Sequence, residues 1–138
     1  MNDSIAEGGC LCGQVRYEFD QTSVVTAGHC HCTDCQKATG SGKATIVFIP
    51  TEALQLNGEI KTYTVVGTAG SHVTRGFCPQ CGSPIISYVE EDATLRFIKA
   101  GSLDDPGWVS PEASYWSESA WTWAPVEAGL ASFPRNPD

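Results

Sequence analysis

Residues 9–19, GCLCGQVRYEF, join a pair of cysteines to the start of a β-strand. Cys10 and Cys12 are followed by Gly13, which permits a tight turn. Beyond this turn, apolar and polar side chains alternate, and this alternation predicts a half-buried strand over residues 14–19. We therefore expect the fold to hold its cysteines at the ends of strands.

Similar strand patterns recur at intervals of about ten residues, with almost no helical periodicity. They cover residues 43–49, 60–66, 72–78, 83–89 and 93–101, with turn signals at Asn57-Gly58, from Gly67 to Gly70 and from Gly101 to Gly107. This pattern predicts a mainly β fold of several short antiparallel strands, in one small domain over residues 1–138. The Pro- and Gly-rich tail after Pro125 is expected to wrap the surface.

One short helix is predicted directly after the central cysteine cluster. Thr33-Asp34-Cys35-Gln36 matches the capping box, with Thr33 as the N-cap and Gln36 at the third helical position. Gly40 would end the helix about two turns later.

The charge and the first residues exclude several classes of protein. The formal net charge is −8, and the eight basic residues are scattered, so binding to nucleic acid or to an anionic membrane is not expected. No stretch reaches the roughly 20 apolar residues of a membrane helix. The start, MNDSIAEGG, lacks the basic and apolar regions of a secretion signal, so we expect a cytoplasmic protein.

The seven cysteines are spaced like metal ligands rather than like disulfide partners. They fall into three clusters of close neighbours, CLC, CHCTDC and CPQC, and an odd number would leave one thiol unpaired. Adjacent C-x-C thiols seldom reach disulfide geometry. The spacing therefore favours a zinc-containing fold over a disulfide framework.

Two of the clusters together predict a closed site of four thiolates. Cys78 and Cys81 form a zinc knuckle, in which Gly82 can take a positive φ while backbone N–H groups donate to sulfur. Cys10 and Cys12 offer the two further ligands, because both clusters stand at predicted strand ends. The alternative is a set of buried thiols that bind no metal.

The third cluster supplies only three thiols, Cys30, Cys32 and Cys35. Cys35 lies in the first turn of the predicted helix, where the helix dipole favours the thiolate. Three protein ligands and one open position are typical of catalytic zinc. The alternative is a second structural site, completed by His29, His31 or Asp34. His31 lies between two ligands and is expected to point away or to contact a ligand residue without binding the metal, whereas His72 is expected to be an ordinary strand histidine.

Three stretches, GGCLCGQVRYEF, CHCTDCQKATGSG and TYTVVGTAGSHVTRGFCPQCGSPI, resemble the glutathione-dependent formaldehyde-activating family, which includes centromere protein V. The resemblance covers about residues 5–125, and YWSESAWTW resembles the late aromatic stretch of that family more loosely. It implies a mostly β fold with zinc and a carbon–sulfur lyase activity. The prototype joins glutathione and formaldehyde into S-hydroxymethylglutathione.

Carried over by motif, the resemblance implies a division of the cysteines between two zinc ions. Cys10, Cys12, Cys78 and Cys81 would hold a structural zinc, and Cys30, Cys32 and Cys35 a catalytic zinc that can be partly occupied. The implied partners are a small-molecule thiol, with glutathione as the candidate, and an aldehyde.

The substrate and the general acid or base are not identified by these motifs, and neither is the oligomeric state. The chain is shorter than the prototype, and no convergent cluster of Lys and Arg is evident for the carboxylates of glutathione. Lys37, Lys43 and Arg75 could line a site, although Arg75 is expected to be a solvated charge on an exposed strand face. Trp116, Trp121 and Trp123 could wall a pocket, but core packing and closure of the sheet by the tail are favoured.

Three functions remain open on the residues alone. The first is a zinc-dependent carbon–sulfur lyase that forms or cleaves a thiol–aldehyde adduct. The second is a non-catalytic binding module stabilised by zinc at both sites. The third is a redox or metal sensor that uses Cys30, Cys32 and Cys35 as labile thiolates.

Overall fold

The computed structural model of the chain describes residues 4–136. Within these residues the strands are β1 (Ile5–Gly9), β2 (Arg16–Asp20), β3 (Thr26–Cys30), β4 (Ala44–Pro50), β5 (Gln55–Asn57), β6 (Lys61–Val66), β7 (His72–Phe77), β8 (Pro84–Val89), β9 (Leu95–Lys99), β10 (Ala113–Tyr115) and β11 (Ala131–Ser132). The helix α1 spans Thr33–Thr39, and short 3-10 turns cover Gln21–Ser23, Thr51–Ala53, Ala100–Ser102 and Ser117–Ser119. The prediction of a mainly β fold with one short helix after the central cysteines is confirmed.

The strands form two sheets. The short sheet has the order β1-β2-β5, and the long sheet has the order β11-β10-β3-β4-β9-β8-β7-β6. Neighbouring strands are antiparallel, except that β10 pairs in parallel with both β3 and β11. The tail after Pro125 runs over the surface as expected, and its strand β11 adds the last edge of the long sheet.

Strand β4 separates two hydrophobic cores, because successive side chains of a strand point to opposite faces. Val47 and Ile49 are fully buried in the larger core, which also receives the apolar residues of the short sheet. Ala44 and Ile46 pack into a smaller core with Cys35 of α1. The helix and the central cysteines therefore lie on one face of the long sheet, and the short sheet lies on the other.

The helix ends as predicted but begins one residue earlier than expected. Cys32, not Thr33, is the N-cap, and its sulfur accepts a hydrogen bond from the Cys35 N–H at 3.2 Å. Gly40 ends the helix in the left-handed conformation, with φ of 70°, and donates to the Gln36 carbonyl. The capping-box prediction of the N-cap is wrong because Cys32, a candidate metal ligand, occupies the N-cap position that serine or threonine usually fills.

The expectation of a single domain over residues 1–138 stays a prediction, and residues 1–3 and 137–138 lie outside the described residues. The opening segment MNDSIAEGG falls partly within this undescribed part of the chain. Across residues 4–136, no helix combines the length and the apolar character needed to cross a membrane.

Candidate metal centres

The first candidate centre joins the two cysteine pairs that lie 66 or more residues apart in sequence. The sulfurs of Cys10, Cys12, Cys78 and Cys81 all lie within 4.8 Å of one another. The Cys10–Cys12 and Cys12–Cys78 sulfur distances are 3.6 and 3.7 Å. Four sulfurs at the corners of a tetrahedron, each about 2.3 Å from a zinc ion, stand about 3.8 Å apart. The four thiols thus fit a tetrahedral zinc ion, and all seven cysteines of the chain are free.

Tight turns aim both pairs at the same point. Gly13 and Gly82 adopt positive φ angles of 83° and 79°, as their positions after the cysteine pairs predicted. Backbone N–H groups donate to the sulfurs, Val15 to Cys10 at 3.2 Å and Gln80 to Cys78 at 3.3 Å. These bonds stabilise thiolate ligands and orient them.

The second candidate centre comes from one short segment between β3 and α1. Cys30 ends β3, Cys32 caps the helix and Cys35 lies in its first turn, and their sulfurs lie within 4.8 Å of one another. Within residues 4–136, no histidine nitrogen or carboxylate oxygen joins this group of three. The three thiols fit one side of a metal ion and leave a fourth position to another ligand.

His29, His31 and Asp34, which could have completed this centre, do not join its three thiols. His29 contacts Thr45 at 2.8 Å and Glu127 at 3.4 Å. His31 is fully buried, and this burial lowers its pKa. The alternative of a fourth protein ligand from His29, His31 or Asp34 therefore finds no support in the geometry.

Two cations face the second centre from the opposite side. Arg75 on β7 points a guanidinium nitrogen at the Cys35 sulfur, 3.8 Å away, and Lys99 on β9 donates to the Ser87 hydroxyl at 2.8 Å. Hydrogen bonds from Cys30 and Cys32 lower the pKa of the Cys35 thiol, and the charges of Lys99 and Arg75 act in the same direction. The expectation that Arg75 is a solvated charge is therefore wrong.

The register of the sheet explains why these cations meet. Arg75 stands opposite Ser87, and Ser87 stands opposite Phe97, so these three side chains share one face. Lys99, two residues beyond Phe97, returns to the same face. Burial lowers the pKa of Lys99, while the thiols of the second centre raise it.

Two adjoining cavities open beside the second centre. One of about 260 Å³ is lined by Cys35, Arg75 and Lys99 among others. The second, of about 710 Å³, is lined by Lys43 and Lys99 and reaches Cys10 of the first centre. Of the three basic residues considered from sequence, Lys43 and Arg75 line these cavities and Lys37 lines neither. The motifs did not single out Lys99, since only the register of the strands shows which face it occupies.

The three C-terminal tryptophans lie outside both cavities, and one of them connects the C-terminal segment to α1. Trp116, Trp121 and Trp123 are absent from both cavity walls. Trp121 donates from its indole nitrogen to the Gln36 side chain at 2.9 Å, and Gln36 in turn donates to the carbonyls of His31 and Ser119. The C-terminal segment is thereby tied to α1, as closure by the tail requires. The expectation of core packing is wrong for Trp121 and Trp123, since both side chains are largely exposed.

Comparisons with known proteins agree with this architecture. The chain is similar to the crystal structure of a Rhodobacter sphaeroides protein, a Northeast Structural Genomics target, with a TM-score of 0.57 and 18% identity over 92% of this chain and 98% of that chain. At this identity the likeness concerns the fold alone. No curated protein sequence matches the chain.

The family model of the glutathione-dependent formaldehyde-activating enzyme matches residues 5–119, within the region of about 5–125 that carried the resemblance. Both candidate centres fall inside the match. The chain therefore belongs to the family of glutathione-dependent formaldehyde-activating enzymes.

Proposed function

We propose that this chain is a zinc-dependent carbon–sulfur lyase that forms or cleaves thiol–aldehyde adducts. One observation carries the proposal. The cluster of three thiols borders a cavity through Cys35, and no fourth protein ligand joins it among the described residues. An open ligand position beside a cavity is the arrangement that a substrate-binding metal requires.

We assign different roles to the two centres. Cys10, Cys12, Cys78 and Cys81 would hold a structural zinc, because four thiolates complete its coordination. Cys30, Cys32 and Cys35 would hold a catalytic zinc. When bound there, zinc lowers the pKa of a coordinated thiol and so supplies a nucleophilic sulfur at neutral pH.

The reaction needs no oxidant or reductant. In the forward direction the thiol sulfur forms a bond to the aldehyde carbon, and the aldehyde oxygen gains the proton that the thiol loses. In the reverse direction the carbon–sulfur bond breaks and the proton returns to sulfur. The chain contributes the ligands, a cavity beside them, and the charges of Arg75 and Lys99, which favour anionic sulfur.

The name of the family supports glutathione as the thiol and formaldehyde as the aldehyde. We propose a small thiol of this kind, and we place the activity in the cytoplasm. All seven cysteines are free, and a reducing compartment keeps thiols in that state.

The first test is metal content, followed by turnover. Protein purified without added metal should contain about two zinc ions per chain, which elemental analysis measures. Exchange between free and adduct-bound ¹³C-formaldehyde in the presence of glutathione then measures catalysis by NMR. Cys30→Ser should lose the second zinc and the accelerated exchange, whereas Lys37→Gln, which changes an exposed side chain outside both cavities, should keep both.

Two results would contradict the proposal. Exchange at the uncatalysed rate in protein that contains both zinc ions would favour a non-catalytic binding module. Exchange by Cys30→Ser at the wild-type rate would remove the three-thiol cluster from the reaction.

A further inference from the structure

The residue between Cys30 and Cys32 is fixed through both of its backbone groups. The His31 N–H donates to the Tyr115 carbonyl at 3.0 Å, and the His31 carbonyl accepts from the Gln36 side chain at 2.7 Å. The His31 side chain is fully buried, so the turn has little room to rearrange. The separation of the two neighbouring sulfurs therefore depends on the contacts that hold His31.

The side-chain amide of Gln36 uses all of its hydrogen-bonding groups. Its nitrogen donates to the carbonyls of His31 and Ser119, at 2.7 and 3.0 Å. Its oxygen accepts from the Trp121 indole at 2.9 Å. Because carbonyls only accept and an indole only donates, these partners fix the orientation of the amide. Ionised glutamate lacks the donors, and lysine and arginine lack the acceptor, so this position calls for an amide.

Both contacts that hold His31 lead to the C-terminal part of the chain. Tyr115 ends β10, and Ser119 and Trp121 follow it in the same segment. Trp116, at the bend between them, adopts the left-handed conformation with φ of 58°, which is unfavourable for a bulky side chain. Such a conformation persists only where the surrounding structure determines it. The bend brings the Ser119 carbonyl to Gln36.

We propose that Gln36 is a positioning residue of the second centre, which holds Cys30 and Cys32 at their metal-binding separation through the His31 backbone. The inference rests on the proposed function, since it supposes that the three-cysteine centre binds zinc. Among residues 4–136 no fourth ligand joins this centre, so its affinity depends on the correct spacing of only three sulfurs. Contacts that orient metal ligands without touching the metal change metal affinity by about 10- to 100-fold. Trp121 lies beyond residues 5–119, the part of the chain that the family model matches.

The test measures zinc affinity by competition with a chromophoric chelator. Gln36→Met keeps the approximate length of the side chain but removes its hydrogen bonds, and it should lower the affinity of the second centre by about 10- to 100-fold. Trp121→Phe removes only one of these bonds and should lower that affinity by less than about tenfold. Lys37→Met introduces the same side chain at an exposed position of the same helix and should keep the wild-type affinity.

A spectroscopic measurement separates positioning from a general loss of stability. In protein loaded with ¹¹³Cd, each centre should give its own NMR resonance, because the chemical shift depends on the number of sulfur ligands. In Gln36→Met the resonance of the three-cysteine centre should shift or broaden, whereas that of the four-cysteine centre should stay unchanged. A variant that merely weakens the fold would affect both centres.

Wild-type affinity together with an unchanged ¹¹³Cd resonance of the second centre in Gln36→Met would overturn the positioning role and leave the proposed function intact. Equal losses of affinity at both centres would also overturn it, since Gln36 would then act on overall stability. Wild-type protein that binds only one zinc ion, at the four-cysteine centre, would overturn both the positioning role and the proposed function.

Discussion

Replacement of Cys78 by serine tests whether the four-cysteine centre carries the stability of the fold. The Cys78 side chain is fully buried, and its sulfur lies 3.7 Å from that of Cys12. It thereby connects the end of β7 to the segment that precedes β2. Serine keeps the size of the side chain but offers a poor ligand, since structural zinc sites use thiolate and imidazole.

The loss of stability expected for Cys78→Ser is large in comparison with the free energy of unfolding of a small domain. Structural zinc contributes about 10–16 kcal/mol in small metal-dependent folds. The free energy of unfolding of a typical domain is about 5–15 kcal/mol. Loss of even a third of the metal energy, about 4 kcal/mol, would lower the urea midpoint by about 2 M. We therefore expect Cys78→Ser to be strongly destabilised or unfolded at 25 °C.

Cys32→Ser is the matched control, because it removes a ligand of the other centre by the same chemical change. Cys32 is the N-cap of α1, and serine is a preferred residue at that position. The hydrogen bond that the Cys32 sulfur accepts from the Cys35 N–H can pass to the serine oxygen. The helix should keep its cap, so that the urea midpoint falls by less than about 0.5 M while the second metal is lost.

Urea unfolding followed by circular dichroism, together with zinc analysis of each variant, distinguishes these cases. The division into a structural and a catalytic centre requires a large shift for Cys78→Ser and a small one for Cys32→Ser. Equal shifts in the two variants, or a wild-type midpoint for Cys78→Ser, would refute it.

Three further perturbations test the surrounding structure. Ile98→Ala should lower the free energy of unfolding by about 2–5 kcal/mol, because Ile98 is fully buried in the larger core, and an unchanged urea midpoint would contradict this packing. Glu91→Gln should lower the pKa of His72 in an NMR titration, since the hydrogen bond from His72 to Glu91 raises that pKa. The stabilisation by the charged histidine should accordingly be present below its unfolded pKa of about 6.5 and be lost as the pH rises through the raised value. Gly42→Ala would place a methyl carbon 2.2 Å from the side chain of Ala124, so faster amide exchange at Ala124 is expected, and unchanged protection would argue against the contact.

The grouping of the cysteines could be predicted from sequence because each cluster carries its own local geometry. Gly13 and Gly82 mark the turns that aim Cys10, Cys12, Cys78 and Cys81, and both glycines take the positive φ that this requires. Strand β2 was predicted for a similar reason, since the alternation of its side chains is a local signal.

Strands β3 and β10 escaped prediction because their signals depend on distant partners. In β3 the sequence TAGHC contains a glycine, and a side chain at Gly28 would meet the ring of Tyr115 at 2.8 Å. The small residue is therefore required by the neighbouring strand β10, which lies more than eighty residues further along the chain. The parallel pairing of β10 with β3 cannot be recognised from the residues of either strand alone.

The cationic pair escaped prediction for a related reason. Arg75 and Lys99 lie on strands that are not adjacent, and Ser87 on the strand between them fixes their common face. Each residue viewed alone resembles an ordinary exposed charge on a strand. Their meeting is a property of the sheet register, which a single sequence does not contain.

The origin of the ligands explains why one centre is closed and the other open. The four-cysteine centre draws on two turns from separate strand ends, so its ligands can approach the ion from opposite sides. The three-cysteine centre draws on residues 30–35 alone, and so short a segment covers only one side of an ion. The remaining side faces β7 and β9, where the sheet presents Arg75 and Lys99 instead of a fourth ligand. Cations do not bind a metal ion but do attract anionic sulfur, so this face of the sheet supports the proposal that the three-cysteine centre admits a substrate thiol.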